Sequence, residues 1–180
     1  SSHSDDVACV GTPDFHERLA PFLQRFRFGP VESAFDGLIH VGMKVSQDRQ
    51  THAVTVDLEE YLSSYVEEVS LPEGDAEPQV DEKVVTEARG AAGGLLFVAS
   101  WTHPEFLVDV SMACGNFQNM QIKHVRELNK LVRTARRSSH LKVVFQPFRS
   151  KMKKPHVLTF GDSAFQNLPK HRSQGGGMVF

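Results

Sequence analysis

Hydrophobic and polar positions divide the chain into helical and extended stretches. In GTPDFHERLAPFLQRFRFG, Phe15, Leu19, Phe22, Leu23 and Phe26 fall on one helical face. Thr12 suits the cap and Pro13 the first helical position. Pro21 predicts a kink or an early break, and Gly29 with Pro30 ends the helix. Ahead of it, a carboxylate turn leads into a short strand, Val7 to Val10. LIHVGMKV at 38–45 alternates: Ile39, Val41, Met43 and Val45 point one way, and Leu38, His40, Gly42 and Lys44 the other. That pattern predicts one half-buried strand. A polar turn over 46–52 and a second strand, roughly Ala53–Val56, complete a hairpin. Asp57, with Glu60 three residues on, predicts a capping-box start to a helix reaching about Val69. Leu58, Tyr61, Leu62, Tyr65 and Val69 line one side of it.

Pro72, Gly74 and Pro78 predict a loop over 70–82. Residues 83–101 are helical by composition, although Gly90, Gly93 and Gly94 weaken the helix while permitting close packing. Pro104 predicts the start of another helix reaching roughly Phe117. The clearest helix is 120–137, with Ile122, Val125, Leu128, Val132 and Ala135 facing inward. Strands follow near Leu141–Phe145 and Val157–Phe160, and RSQGGGMVF reads as a turn into a third.

Composition narrows the class. At 180 residues the chain has room for one domain or for two small pieces of larger ones. With 40% hydrophobic and 23% charged residues it is ordinary for a folded protein, and 13 Phe residues are enough to allow a sizeable aromatic core. Cys9 and Cys114 exclude a disulfide-dense scaffold and a four-Cys zinc site, and both read as buried small apolar residues. The run AAGGLLFVASW is too short and too small-sided to span a bilayer. The first residues show no charged-then-apolar pattern, so no secretory signal is expected. The expectation is an intracellular protein with no membrane partner. The nine His residues show no ligand spacing, and no G-K-[ST] follows the triplet Gly175–Gly177.

Charge is strongly segregated beneath a net −2. From Asp57 to Glu87 there are eleven acids and one base, Lys83. From Lys123 to Lys154 there are eleven bases and one acid, Glu127. The basic half either faces a polyanion or neutralises the acidic half within one fold. Lys123, Arg126, Lys130, Arg133 and Arg137 recur at steps of three and four and form one stripe on the helix 120–137. Such a stripe suits repeated contact with a phosphate backbone, or it is a solvated helix face. Two carboxylate features are candidates for metal chemistry. Asp5 and Asp6 share a site only at a sharp turn, where they could help hold two magnesium ions for an in-line displacement at phosphorus; otherwise they form a solvated turn. Asp162, at the end of a strand, either ligates a hard cation or forms a turn.

These features occur in an order that resembles the later part of a copia-type LTR retrotransposon Pol polyprotein, running from the reverse-transcriptase palm into ribonuclease H. HSDDVACVG at 3–11 looks like the palm signature, with Ser4 where the family usually has Val. The helix 13–27 and the strands 38–56 resemble the end of the palm, and VDLEEYLSSYVEEV at 56–69 resembles the thumb. ARGAAGGLLFVASWTHPEFLVDVSMACGNFQNMQIKHVRELNKLVRTAR at 88–136 is the broadest match. Its Thr102-His103-Pro104-Glu105 stands where the family has Thr-Arg-Pro-Asp, so its capping geometry is expected to differ. LTFGDSAFQNLPKHRSQGGGMVF at 158–180 looks like the first ribonuclease H hairpin, with Ser173 and Gly176 near the Ser and Gly of its second strand.

The resemblance implies an α+β fold. Residues 1–83 would form the end of the palm and the thumb, 84–140 a helical connection, and 141–180 the first strands of a truncated ribonuclease H-like α/β domain. It implies RNA-directed DNA polymerisation by two-metal nucleotidyl transfer, with Mg2+ held at Asp5 and Asp6 and at the nuclease Asp162. It implies an RNA/DNA template–primer duplex bound by Lys123, Arg126, Lys130, Arg133 and Arg137, and the remainder of Pol as partner. Both metal sites would be incomplete, so these residues are expected not to polymerise or cleave unaided. Two other readings fit the same residues: a non-catalytic nucleic-acid-binding remnant of a mobile element, and an unrelated intracellular α/β interaction domain.

Overall fold

The structure, a computed structural model, describes residue 9, residues 11–26, 29–71 and 79–147, and the backbone of 159–168 and 172–179. The fold is α+β, in two units, Ser1–Pro147 and Phe148–Phe180. The short strand expected at Val7–Val10 lies outside the described residues.

In the first unit, α1 (Pro13–Arg25) begins where Thr12 Oγ1 accepts the Phe15 N–H at 3.4 Å. It runs through Pro21 without breaking, and it buries none of its residues. The strand expected over 38–45 is a tight hairpin instead. Strands β1 (Leu38–His40) and β2 (Met43–Gln47) pair antiparallel with His40 opposite Met43. Val41 and Gly42 between them have φ of 50° and 77°, as a two-residue hairpin turn with two left-handed positions requires. Left-handed backbone costs a residue such as Val41 about 1–2 kcal/mol. The unbroken alternation of side chains hid the turn, and the turn changes their parity. Leu38 and Val45, expected on opposite faces, are direct cross-strand partners. At Gly42 a Cβ would also stand 3.0 Å from the Tyr61 ring.

Strand β3 (Val54–Asp57) continues the sheet, with Val45 opposite Val56. Between β2 and β3, Asp48 Oδ1 accepts the N–H groups of Gln50 and Thr51 at 2.9 and 2.6 Å. Those N–H and hydroxyl donors, Thr51 foremost, hold the Asp48 carboxyl below its ordinary range. Helix α2 (Glu59–Tyr65) opens as Asp57 Oδ1 accepts the Glu59 N–H at 2.8 Å, two residues on, rather than through a capping box with Glu60. It ends four residues before the expected Val69, because Val66 turns extended at φ −112°, ψ 98°. Leu58, Leu62, Val66 and Val69 are buried, but Tyr65 is 71% exposed.

Helix α3 (Glu82–Trp101) is continuous through its glycines. Asp81 Oδ1 caps it through the Val84 N–H at 2.9 Å. Gly90 and Gly93 face open space, whereas a Cβ on Gly94 would lie 2.8 Å from Val66 Cγ2. Each glycine costs about 1 kcal/mol of helix propensity. Burial of Val85, Leu95 and Val98, with Ala88, Ala91, Ala92 and Ala99 alongside, outweighs that.

The helix expected over 104–117 is broken into a turn at Pro104–Phe106, α4 (Leu107–Cys114) and a second turn at Phe117–Asn119. The Gly115 N–H bonds back to Ser111 and Met112, and the helix stops there. Helix α5 (Ile122–Arg137) follows. Strand β4 (Val143–Phe145) then returns to the sheet and pairs antiparallel with β3, giving the order β1-β2-β3-β4.

The core lies among α2, α3, α4 and α5, with Met43, Val45 and Val56 contributed by the sheet. It is aliphatic and rich in Ala, not aromatic. Among the described residues, Phe106 is the aromatic apolar side chain that is buried, while Phe15, Phe22, Phe26, Phe35 and Phe145 are exposed. Cys9 is exposed, against expectation, and Cys114 is half-buried, with burial raising its thiol pKa.

The second unit contains an antiparallel pair, β5 (Thr159–Leu168) and β6 (Arg172–Val179). The strand expected to stop at Phe160 runs on to Leu168. Asp162 is therefore within a strand, in register with Gly176, and Ser163 is opposite Gly175.

Candidate nucleic-acid interface

Helix α5 is set by two faces. Ile122, Val125, Leu128, Val132 and Ala135 are buried, as their spacing predicts. The four larger of these side chains are each worth about 1.5–3 kcal/mol on burial. Their sum far exceeds the roughly 0–1 kcal/mol of an exposed ion pair, so the apolar face fixes how the helix is turned. With about 100° per residue, Lys123, Arg126, Lys130, Arg133 and Arg137 then fall within an arc of about 80° that faces solvent. All five are exposed. The stripe is about 21 Å long at about 1.5 Å per residue.

The start of the helix is built locally. Gln121 and His124 form a capping box, with the Gln121 N–H donating to His124 Nδ1 at 3.1 Å. The Val80 N–H donates to Met120 O at 3.1 Å just ahead of it. At the other end, His103 is fully buried and stacks on Phe106. Its Nε2 donates to Ser138 O at 2.9 Å, which leaves Nδ1 to accept from Thr102 Oγ1 at 2.7 Å. The imidazole thus ties the end of α3 to the end of α5. Arg136 and Arg137 in the last turn also complement the negative end of the helix dipole.

Asn129, on the buried face, was not legible as a core residue. Its Oδ1 accepts the Val69 N–H and its Nδ2 donates to Val69 O, both at 2.8 Å. One amide side chain so satisfies both backbone polar groups of buried Val69, 60 residues away in sequence. It lays the segment after α2 along α5. Arg136 Nη2 donates to Ser63 O at 3.2 Å on the same side.

This placement brings acid to base at Glu68. Arg133 Nη1 lies 2.5 Å from Glu68 Oε2, with the two side chains 48% and 41% exposed. A second link between the acidic and basic stretches joins Asp57 to Lys142 at 2.6 Å. Burial pushes the Asp57 carboxyl up, but the Lys142 hydrogen bond, the Glu59 N–H and the charges of Lys142 and Lys44 outweigh it, and its pKa is lowered. The same hydrogen bond and charge raise the pKa of Lys142. Among the described residues these two ion pairs join the acidic and basic stretches. Among the described residues no ion pair engages Lys123, Lys130 or Arg137.

Of the carboxylates expected to hold metal, Asp5 and Asp6 lie outside the described residues, and Asp162 is described by its backbone register alone. Among the described residues no group of three or more His, Cys, Asp or Glu side chains is arranged to hold a metal ion. The described residues thus offer no cluster that fits Mg2+. Among them, no helix is long and apolar enough to cross a membrane. No family model, curated protein or solved structure matches the chain.

Proposed function

We propose that this chain is part of a copia-type reverse transcriptase and ribonuclease H, and that α5 holds the sugar–phosphate backbone of the RNA/DNA template–primer duplex. In this reading, 1–83 belongs to the end of the palm and the thumb, and 84–140 to the connection. The hairpin β5–β6, with Asp162 opposite Gly176, opens the ribonuclease H domain. The remainder of Pol supplies the rest of both catalytic sites. Asp5, Asp6 and Asp162 are proposed as magnesium-bearing carboxylates on the resemblance alone.

The observation that carries the reading is the solvent-facing stripe on α5, which the apolar face of the same helix holds outward. Its cations recur every three or four residues over a length that matches the axial rise of about six base pairs of duplex. The stripe presents ammonium and guanidinium groups, which bind phosphate without reading bases.

The test is binding of the chain to an RNA/DNA hybrid duplex across a salt series. K123A/R126A/K130A/R133A removes charge at exposed positions and leaves the buried face alone. It is expected to weaken binding at least tenfold near 0.1 M salt and to flatten the slope of log affinity against log salt by about 3. An unchanged slope, or no duplex binding by the parent chain, removes the reading in favour of an interaction domain of another kind.

A further inference from the structure

We propose that Glu68 is a phosphate competitor built into this face: its carboxylate occupies Arg133 in the free protein, and a nucleic-acid phosphate must displace it. The inference rests on the reading of α5 as a duplex-binding helix and adds how that site is regulated. Arg133 stands inside the stripe, one turn from Lys130 and close to Arg137. A carboxylate held against it places a negative charge among the cations that would meet the backbone.

Glu68 is held there by the path of its chain. Val66 and Val69 on either side of it are buried. Asn129 clamps the Val69 peptide through two 2.8 Å hydrogen bonds, and Arg133 is one turn along α5 from Asn129. The Glu68 backbone is thus fixed beside Arg133. The pair itself remains about half exposed, so it is weak enough to exchange. Carboxylate and phosphate oxygens engage a guanidinium in the same way, so the exchange replaces one charge-assisted hydrogen bond by another.

The competitor favours extended polyanions. A single phosphate in solution meets Arg133 already satisfied and gains nothing from its neighbours. A duplex engages Lys123, Lys130 and Arg137 at the same time, and the linked contacts raise the local phosphate concentration at Arg133. Glu68 therefore lowers affinity for small anions relative to duplex.

The variant E68Q is near-isosteric, lies at an exposed position and removes only the charge. The measurement is affinity for an RNA/DNA hybrid duplex across a salt series, for the parent chain, E68Q, R133Q and E68Q/R133Q. E68Q is expected to tighten binding about two- to fivefold near 0.1 M salt, because no carboxylate has to leave Arg133 first, with the salt slope little changed since Arg133 meets phosphate in both complexes. In the R133Q background, E68Q should leave the affinity nearly where it is. If E68Q leaves the affinity unchanged while K123A/K130A still weakens binding, the competitor is refuted and the duplex-binding reading stands. If the parent chain binds no duplex, both fall together.

Discussion

Helices α1 and α5 carry the same kind of sequence signal and meet different fates. Both are amphipathic, both are capped at their first turn, and both place large apolar residues on one face. Helix α5 buries six residues against the core, while α1 buries none and leaves Phe15, Phe22 and Phe26 exposed. An apolar stripe states that a helix gains by finding a surface; it does not state that the described residues supply one. The difference lies in what else each helix carries. Helix α5 adds Asn129, which fastens a distant backbone, and it borrows His103 at its end. Phe15, Phe22 and Phe26 on α1 stay exposed, and the core formed by the described residues closes mainly with aliphatic side chains.

The contrast can be broken most directly at Leu128. It is fully buried on α5, and Leu128→Ala is expected to lower unfolding free energy by about 2–5 kcal/mol in a urea titration. A loss below about 1 kcal/mol would mean that α5 is no better seated than α1. Asn129→Ala sharpens the cause. It leaves the N–H and C=O of Val69 buried without their partners, for an expected cost of about 2–3 kcal/mol. It should also speed hydrogen exchange of the Val69 amide selectively, which a purely apolar defect in α5 would not do. The smallest effect is predicted for α1. Phe22→Ala should change unfolding free energy by less than about 0.5 kcal/mol in the same urea titration, as surface changes do. A large fall in stability from Phe22→Ala would show that α1 is a structural part of the core layer.

Much of α5 was legible because its two faces follow the 3.6-residue period without exception: the residues read inward are buried and those read as the basic stripe are exposed. The Thr12–Pro13 start of α1 and the α+β class were legible for similar local reasons. Other features were not. The turn at Val41–Gly42 was hidden because the apolar–polar pattern goes on alternating through it, although the turn shifts which positions share a face, and because Val is a poor signal for a left-handed position; Gly42 was the one clue. The end of α2 was hidden because Val66 and Val69 are apolar at helical spacing, yet they reach the core from an extended chain. Asn129, Glu68 and His103 were missed because their roles depend on partners 35 to 65 residues away. The glycines of α3 were read as a weakness, although Gly94 is where the helix meets Val66 most closely.

The pairing of β4 with β3 has a consequence for biosynthesis. Lys142, just ahead of β4, meets Asp57 across 85 residues of chain, so the sheet that begins before α2 is finished only after α5 has left the ribosome. Until then the outer edge of β3 has its ladder groups open during translation. A nascent chain held short of Val143 would present that edge to its neighbours on a polysome, so the last strand to be made is the one that seals the first sheet to form.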